Sequence, residues 1–310
     1  MIHSLASANK YLISLLALIA SAAFSQKPFI MVLGVAQDGG YPQAGCQKEC
    51  CRAVWPDKNL HGSVSCIAIV DPESQESWLF DATPDFAGQT HRLAQADDGK
   101  ASLTGIFLTH AHIGHYTGLM QLGREVMGAG KVHVYAMPRM KDFLGNNGPW
   151  SQLVSLQNIE IRTLSDKKEI ELNERIRVMP FRVPHRDEFS ETVGYKIMIG
   201  SKSLIFIPDI DKWQKWEQNL VEVVEANDFL LIDGTFYQDG EIARPMSEVP
   251  HPYISETMEL LSTLPLAEKK KVHFIHFNHT NPVLRPGSAE NLEVRERGFR
   301  IAEEGQKIDF

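Results

Sequence analysis

Dense positive charge is missing from this sequence. Against 39 acidic residues it sets 31 basic ones, a formal charge of −8, and its one tight cationic cluster is Lys269-Lys270-Lys271. Neutralising a phosphate backbone takes grouped cations, so nucleic acid is disfavoured as the main partner. Also missing are a Pro/Ser/Gly linker, an internal repeat and any shift in composition, and residues 26–310 therefore read as a single domain. The N-terminal apolar run, Tyr11–Phe24, falls short of the roughly twenty residues that a membrane-spanning helix needs. With Lys10 before it and the small residues Ala23 and Ser25 ahead of a cut at Gln26, it reads as a secretory signal peptide over residues 1–25. An uncleaved N-terminal anchor is the alternative. The working part is expected to be periplasmic or secreted, with no stable membrane span once the leader is removed.

Cysteine is scarce, and what there is lies unevenly. Of the 4 cysteines, Cys46, Cys50 and Cys51 crowd into C-QKE-CC, and Cys66 stands apart. An exported protein with an even count would by default pair them as disulfides. Adjacent half-cystines bridge only with strain, however, and thiolates gathered in one short loop suit a metal knot closed by a ligand from elsewhere. Both readings stay open on spacing alone.

What is present is an ordinary globular composition, 43% apolar and 23% charged, enough for a sizeable core. Strand-like runs dominate: Phe29–Ala36, Cys66–Asp71, Ser77–Asp81, Gly105–Thr109, Val132–Ala136, Ile159–Leu164, Ile176–Val183, Thr192–Ile199, Ser203–Ile207, Phe229–Asp233 and Lys271–Phe277. An amphipathic helix is expected over 117–127, with Leu119, Leu122 and Val126 on its core stripe. Asp38-Gly39-Gly40 reads as a turn. Many strands with few helices between them fit two facing sheets with helices outside, an α/β layered fold.

The strongest chemical signal is Thr109-His110-Ala111-His112-Ile113-Gly114-His115 at the end of the apolar run GIFLT. Imidazoles spaced this way between a strand and a helix can converge on one cation, for which neutral imidazole is a preferred ligand. His185, Asp209 and His276 each lie in or just after a later strand-like run. Singly they could be a loop cap, the cap of a helix near Lys212 and a core histidine; jointly they make a ligand inventory for one or two metals. Asp81 and Asp85 in DATPD could accept hydrogen bonds from ligand histidines or simply cap a turn. His251 in VPHPYIS could face substrate, and Asp233 could shape the floor of a cleft.

These residues resemble the metallo-β-lactamase superfamily, whose hallmark is His-x-His-x-Asp-His followed by a later His, Asp and His. The matches are His110, His112, His115, His185, Asp209 and His276. The resemblance implies an αββα four-layer sandwich, a first metal on His110, His112 and His185 with Asp209 bridging, and a second on His115, Asp209 and His276. The sequence departs at Gly114, where the family places the Asp that binds the second metal and handles the proton of the attacking water, so a weaker second site is implied. Proton transfer then falls to the metal-bound hydroxide itself, to Asp209 or to His251. Within the superfamily, AQDGGYPQAGC, FDATPDF, LTHAHIGHYTGL, LIDGTFYQDGEI, VPHPYIS and IHFNHTNPVL are similar to the pyrroloquinoline quinone biosynthesis protein B family, which usually lacks histidines at the places of His110 and His112. A related group, the phosphoribosyl cyclic phosphodiesterases, carries a structural zinc on a cysteine cluster plus a histidine, implying the same for Cys46, Cys50, Cys51 and His279.

The function expected is a zinc hydrolase acting on a small molecule through a metal-activated water, with one or two catalytic zinc ions and a structural one. An iron-dependent oxygenase using Fe2+, as the biosynthetic family implies, and a non-catalytic exported binding protein are the alternatives. The chain has no recognisable phosphate loop and no lactam-specific nucleophile motif, so no substrate can be read from it.

Overall fold

The computed structural model describes residues 27–96, 98–243 and 245–310, and the leader read over residues 1–25 lies outside them. Two seven-stranded sheets face each other. In chain order the first takes β1 (Phe29–Gly34), β2 (Cys66–Asp71), β3 (Glu76–Phe80), β4 (Ser102–Phe107), β5 (Val132–Ala136) and β6 (Ile159–Thr163). The second takes β7 (Ile170–Asn173), β8 (Ile176–Arg182), β9 (Val193–Ile199), β10 (Lys202–Ile207), β11 (Phe229–Asp233), β12 (Val272–Ile275) and β13 (Arg300–Ile301). The chain then crosses back, and β14 (Lys307–Asp309) pairs antiparallel with β1. Each sheet is antiparallel in one half and parallel in the other, β3 to β6 and β10 to β13 running in parallel.

Both faces of each sheet are covered, which is why strands such as FIMVLG and CIAIVD read as unbroken apolar runs. Alternate residues of β1 divide between the layers. Ile30 and Val32 join Phe80, Phe107, Tyr195 and Phe206 in the core between the sheets, while Met31 and Leu33 pack outward. On that outer side lie Phe86 and Leu93 of α2 (Phe86–Ala96), after the short α1 (Glu49–Arg52) and before α3 (Ile113–Tyr116). Met140 and Leu144 of α4 (Pro138–Asn146) and Leu153 of α5 (Trp150–Ser155) complete it. The second sheet is backed by α6 (Leu220–Glu225), α7 (Ile254–Leu260) and α9 (Ala289–Glu296), with α8 (Leu266–Lys269) between the last two in sequence. The result is the expected αββα four-layer sandwich. No helix among the described residues is long and apolar enough to cross a membrane.

Two expectations need correction. The helix over 117–127 is a 3-10 turn spanning Thr117–Leu122: Leu119 and Leu122 are buried as the stripe requires, but Val126 is exposed. The helical turn stops at Gly123, whose backbone is extended (ψ 169°), while at Gly118 the absence of a side chain lets the turn lie against the Thr83 carbonyl, 2.1 Å from where a Cβ would sit. The strand expected over Lys271–Phe277 ends at Ile275, and His276 just beyond it takes φ 69°, a left-handed conformation unusual for a non-glycine residue.

The polar residues singled out above gather at one edge, past the C-terminal ends of β3, β4, β8, β10, β11 and β12. The sheets are tied together there: Tyr195 donates its hydroxyl to the Leu108 carbonyl, and Val193 donates its N–H to Thr109 at 3.1 Å.

Candidate metal centre

His110, His112, His185 and Asp209 offer ligand atoms that all lie within 4.8 Å of one another. Hydrogen bonds on the far side of the rings decide which nitrogen faces inward. Thr109 donates its hydroxyl to Asp81 at 3.0 Å, so its oxygen is left to accept Nδ1–H of His110, also at 3.0 Å, and His110 Nε2 is bare. His112 is turned the other way. Its Nε2 lies 3.0 Å from Glu188 Oε2, which accepts its proton and leaves Nδ1 facing inward, 2.8 Å from His110 Nε2. His185 Nε2 lies 3.3 Å from Asp209 Oδ1. Such partners fix tautomer and ring orientation, as ligand histidines require.

A second group shares Asp209 and adds His115 and His276, as the sequence implied, together with a residue that it did not assign, Asp38. His115 Nδ1 donates to Asp81 at 2.7 Å, and His276 Nδ1 faces the Thr235 hydroxyl at 2.9 Å, which itself donates to Asp233. Both Nε2 atoms therefore turn inward. Asp38 Oδ1 lies 3.0 Å from His115 Nε2 and 3.5 Å from His276 Nε2. The centre is thus not short of a carboxylate despite Gly114. Sequence reasoning placed Asp38 in a turn; the missing family Asp was the signal that another acid had to be sought.

Several of these atoms are buried with no hydrogen-bond partner: Asp38 Oδ1, His115 Nε2, His185 Nε2, Asp209 Oδ1 and His276 Nε2. Orphaned polar atoms converging in this way are costly unless a cation sits among them, so the donor set fits divalent metal. Two carboxylates and one imidazole of the set already have the charge state that a ligand needs. Burial opposes the charge on Asp209, but His185, His251 and His276 outweigh it and hold its carboxyl well below the usual range. Asp38 is likewise held low against its burial by His115 and His276. Burial, then His115, drives His110 well below its ordinary value, toward the neutral form a ligand needs. On His185 the carboxylates of Asp209 and Asp211 overcome burial and push the pKa up to about 10, and on His115 those of Asp81 and Asp38 raise it well above its ordinary value, so a cation entering there displaces a proton from each ring.

His251 is buried, with Nδ1 2.9 Å from Asp233 and 3.2 Å from Asp209, and it lines a cleft of about 750 Å3 that also takes in Asp38, Arg186, Phe236 and Asn278. Asp233 therefore orients His251 and, through Thr235, His276. Asp209 caps no helix; it stands between the two ligand groups. Asp85 is not a partner of any ligand histidine: it accepts the Val64 N–H at 2.8 Å, a loop tie, whereas Asp81 fills the orienting role alone. Asp81 does so from φ 71°, and backbone strain of this kind gathers at functional sites.

Cys46, Cys50, Cys51 and His279 form a separate group. The Cys46–Cys50 and Cys50–Cys51 sulfurs are 3.9 and 4.0 Å apart, and His279 Nδ1 lies 3.3 Å from Cys51 and 3.6 Å from Cys50. No disulfide is formed; all four cysteines of the chain are free. Tetrahedral zinc with Zn–S of ~2.3 Å sets sulfurs ~3.8 Å apart, so these spacings suit a Cys₃His site. Cys66 is not part of it, its thiol donating to the Asp81 carbonyl in the core.

Comparison with known proteins gives the family and the fold. The beta-lactamase superfamily domain matches residues 77–277. Coenzyme PQQ synthesis protein B of Methylococcus capsulatus is 26% identical over 90% of this chain and 99% of its own length. The Pseudomonas protegens protein of the same name is 29% identical over 91% of this chain and 100% of its own. Among solved structures, zinc-bound PqqB from Methylobacterium extorquens superposes with a TM-score of 0.76 at 24% identity, covering 91% of this chain and 100% of that one. A diphosphatase of the PhnP family gives 0.65 at 20% identity, covering 92% and 98%.

Proposed function

The chain belongs to the beta-lactamase superfamily, and on that premise we propose that it is a zinc-dependent hydrolase of a small-molecule substrate, exported under the direction of its N-terminal leader. The observation that carries the reading is the convergence of His110 Nε2, His112 Nδ1, His185 Nε2 and Asp209, each turned inward by a partner on its other side or left buried without one. A divalent cation held there polarises an electrophile and lowers the pKa of water to about 7, so hydrolysis needs no protein nucleophile. The chain's own groups supply the rest. Asp209 keeps its negative charge at the centre. His251, aimed by Asp233, reaches the cleft and can pass a proton to a leaving group.

Full-length similarity to proteins named for PQQ synthesis supports a second reading, an iron-dependent oxygenase, since histidines plus a carboxylate also suit Fe(II). Metal analysis of residues 26–310 followed by a panel of phosphodiesters, lactones and lactams tests the hydrolase. His112→Ala is expected to abolish turnover and release most of the cation bound at its site. Retained turnover refutes the assignment of hydrolysis to this centre, and oxygen consumption by iron-loaded protein with no hydrolysis on the panel selects the second reading.

A further inference from the structure

Gly114 and Asp38 belong to one arrangement. A Cβ built on Gly114 would lie 2.5 Å from Asp38 Oδ1, 2.6 Å from its Cα and 2.8 Å from its Cγ. The space that a side chain at position 114 would enter is therefore filled by the Asp38 side chain and backbone, and only glycine admits them. Asp38 is also fixed in place. The stretch after β1 is bonded to the stretch after β12: Phe277 donates its N–H to Val35 and Gln37 donates its own to Phe277, both at 2.8 Å. Asp38 and His276 are thus set side by side across the gap between the two sheets.

His115 has Asp81 on Nδ1 and Asp38 beside Nε2. A protonated ring could bridge two carboxylates, but that does not suit the geometry on the Asp38 side. Asp38 Oδ1, His115 Nε2 and His276 Nε2 are all buried, and none of them has a hydrogen-bond partner. One oxygen close to two ring nitrogens, with hydrogen-bond geometry to neither, leaves room for a shared cation. With Asp209 Oδ2 at 3.8 Å from His115 Nε2 and 4.0 Å from His276 Nε2, the set is two imidazoles and two carboxylates.

We infer that Asp38, from the loop after β1, is a ligand of a second divalent cation together with His115, Asp209 and His276, and that Gly114 is the vacancy that lets it in. This deepens the hydrolase reading and rests on it: the chain has two cation sites joined by Asp209, the second completed from the loop after the first strand instead of from the turn that carries His115.

Metal equivalents decide the matter, measured by elemental analysis and by zinc titration against a chromophoric chelator, with Co2+ as a spectroscopic substitute. Asp38→Ala is expected to lose one equivalent of zinc, to weaken the second site by more than about 100-fold, since even orienting partners are worth 10–100-fold, and to change the visible Co2+ spectrum. Asp38→Asn, nearly the same in shape, is expected to weaken that site as well, which guards against a variant that misfolds. His276→Ala is expected to lose the same equivalent, and adding Asp38→Ala to it to remove no other. Wild-type stoichiometry, affinity and Co2+ spectrum in folded Asp38→Ala and Asp38→Asn overturn the inference. If His112→Ala meanwhile loses its cation and its turnover, the metal-centred hydrolase reading stands and only the role of Asp38 fails; if His112→Ala keeps both, the assignment of hydrolysis to this centre has itself failed.

Discussion

Replacing Asp81 by Asn is a small change in shape with a specific chemical consequence. Asp81 is wholly buried and accepts the Thr109 N–H at 2.8 Å, the Thr109 hydroxyl at 3.0 Å and His115 Nδ1–H at 2.7 Å. In Asp81→Asn the amide oxygen can keep the bonds to Thr109, and the amide nitrogen then faces His115. A donor facing Nδ1 moves the ring proton to Nε2, the atom turned toward His276 and Asp38. The lost charge-assisted bond is worth ~1.5–3 kcal/mol. Orienting partners of metal-binding histidines are worth 10–100-fold in affinity, or ~1.4–2.7 kcal/mol. The two estimates coincide, so a drop of 10–100-fold is expected, confined to the group containing His115. The His110, His112 and His185 group keeps its hydrogen bonds through Thr109 and should hold its cation. Chelator competition on both proteins measures this directly. Undiminished affinity at every site in Asp81→Asn would refute the tautomer reasoning.

Two further perturbations test other parts of the structure. Burial, and then Arg300, depress the pKa of His273 to about 3, and its ring stacks on Phe229 with centroids 4.1 Å apart. Between about pH 3 and 6.5 the unfolded chain binds a proton there that the folded chain refuses, so stability is present above about 6.5 and is lost as the pH falls. His273→Phe keeps the stack and should flatten the fall in melting temperature between about pH 6.5 and 4; an unchanged slope would contradict the assignment. Cys51→Ser removes a sulfur 3.3 Å from His279 and should cost one equivalent of zinc and lower the melting temperature, whereas full zinc content would show that the thiols hold no metal.

The layers were legible because strands covered on both faces leave continuous apolar runs, and the strands from Phe29 to Ile275 follow them closely except β7, a four-residue edge strand, IELN, that is not covered on both faces and was not read from the sequence. β13 and β14, at two and three residues, are too short to leave such a run. His110, His112 and His115 declare themselves by adjacency, and His185, Asp209 and His276 by standing where apolar runs stop. Asp38 did not, because Asp-Gly-Gly is an ordinary turn and nothing local connects it with His276, 238 positions away; only the pairing of β1 with the chain end and the bridge to Phe277 bring them together. Thr109 and Glu188 carry no local mark as orienting groups, and Asp233 with Thr235, marked only by the end of a strand, was read as cleft floor, since orienting a ring is a property of distance and angle.

His276 and His279 stand three residues apart, one in the cation cluster and one against the cysteines. The backbone between them is pinned at Phe277 by Gln37 and at Asn278, whose N–H reaches the Thr235 carbonyl at 2.9 Å. Beyond the stability that a metal held by these thiols would add, the clasp sets a fixed point beside the reactive edge. Alkylating or oxidising Cys50 would free His279, and the bonds at Phe277 and Asn278 are what would then keep His276 in place.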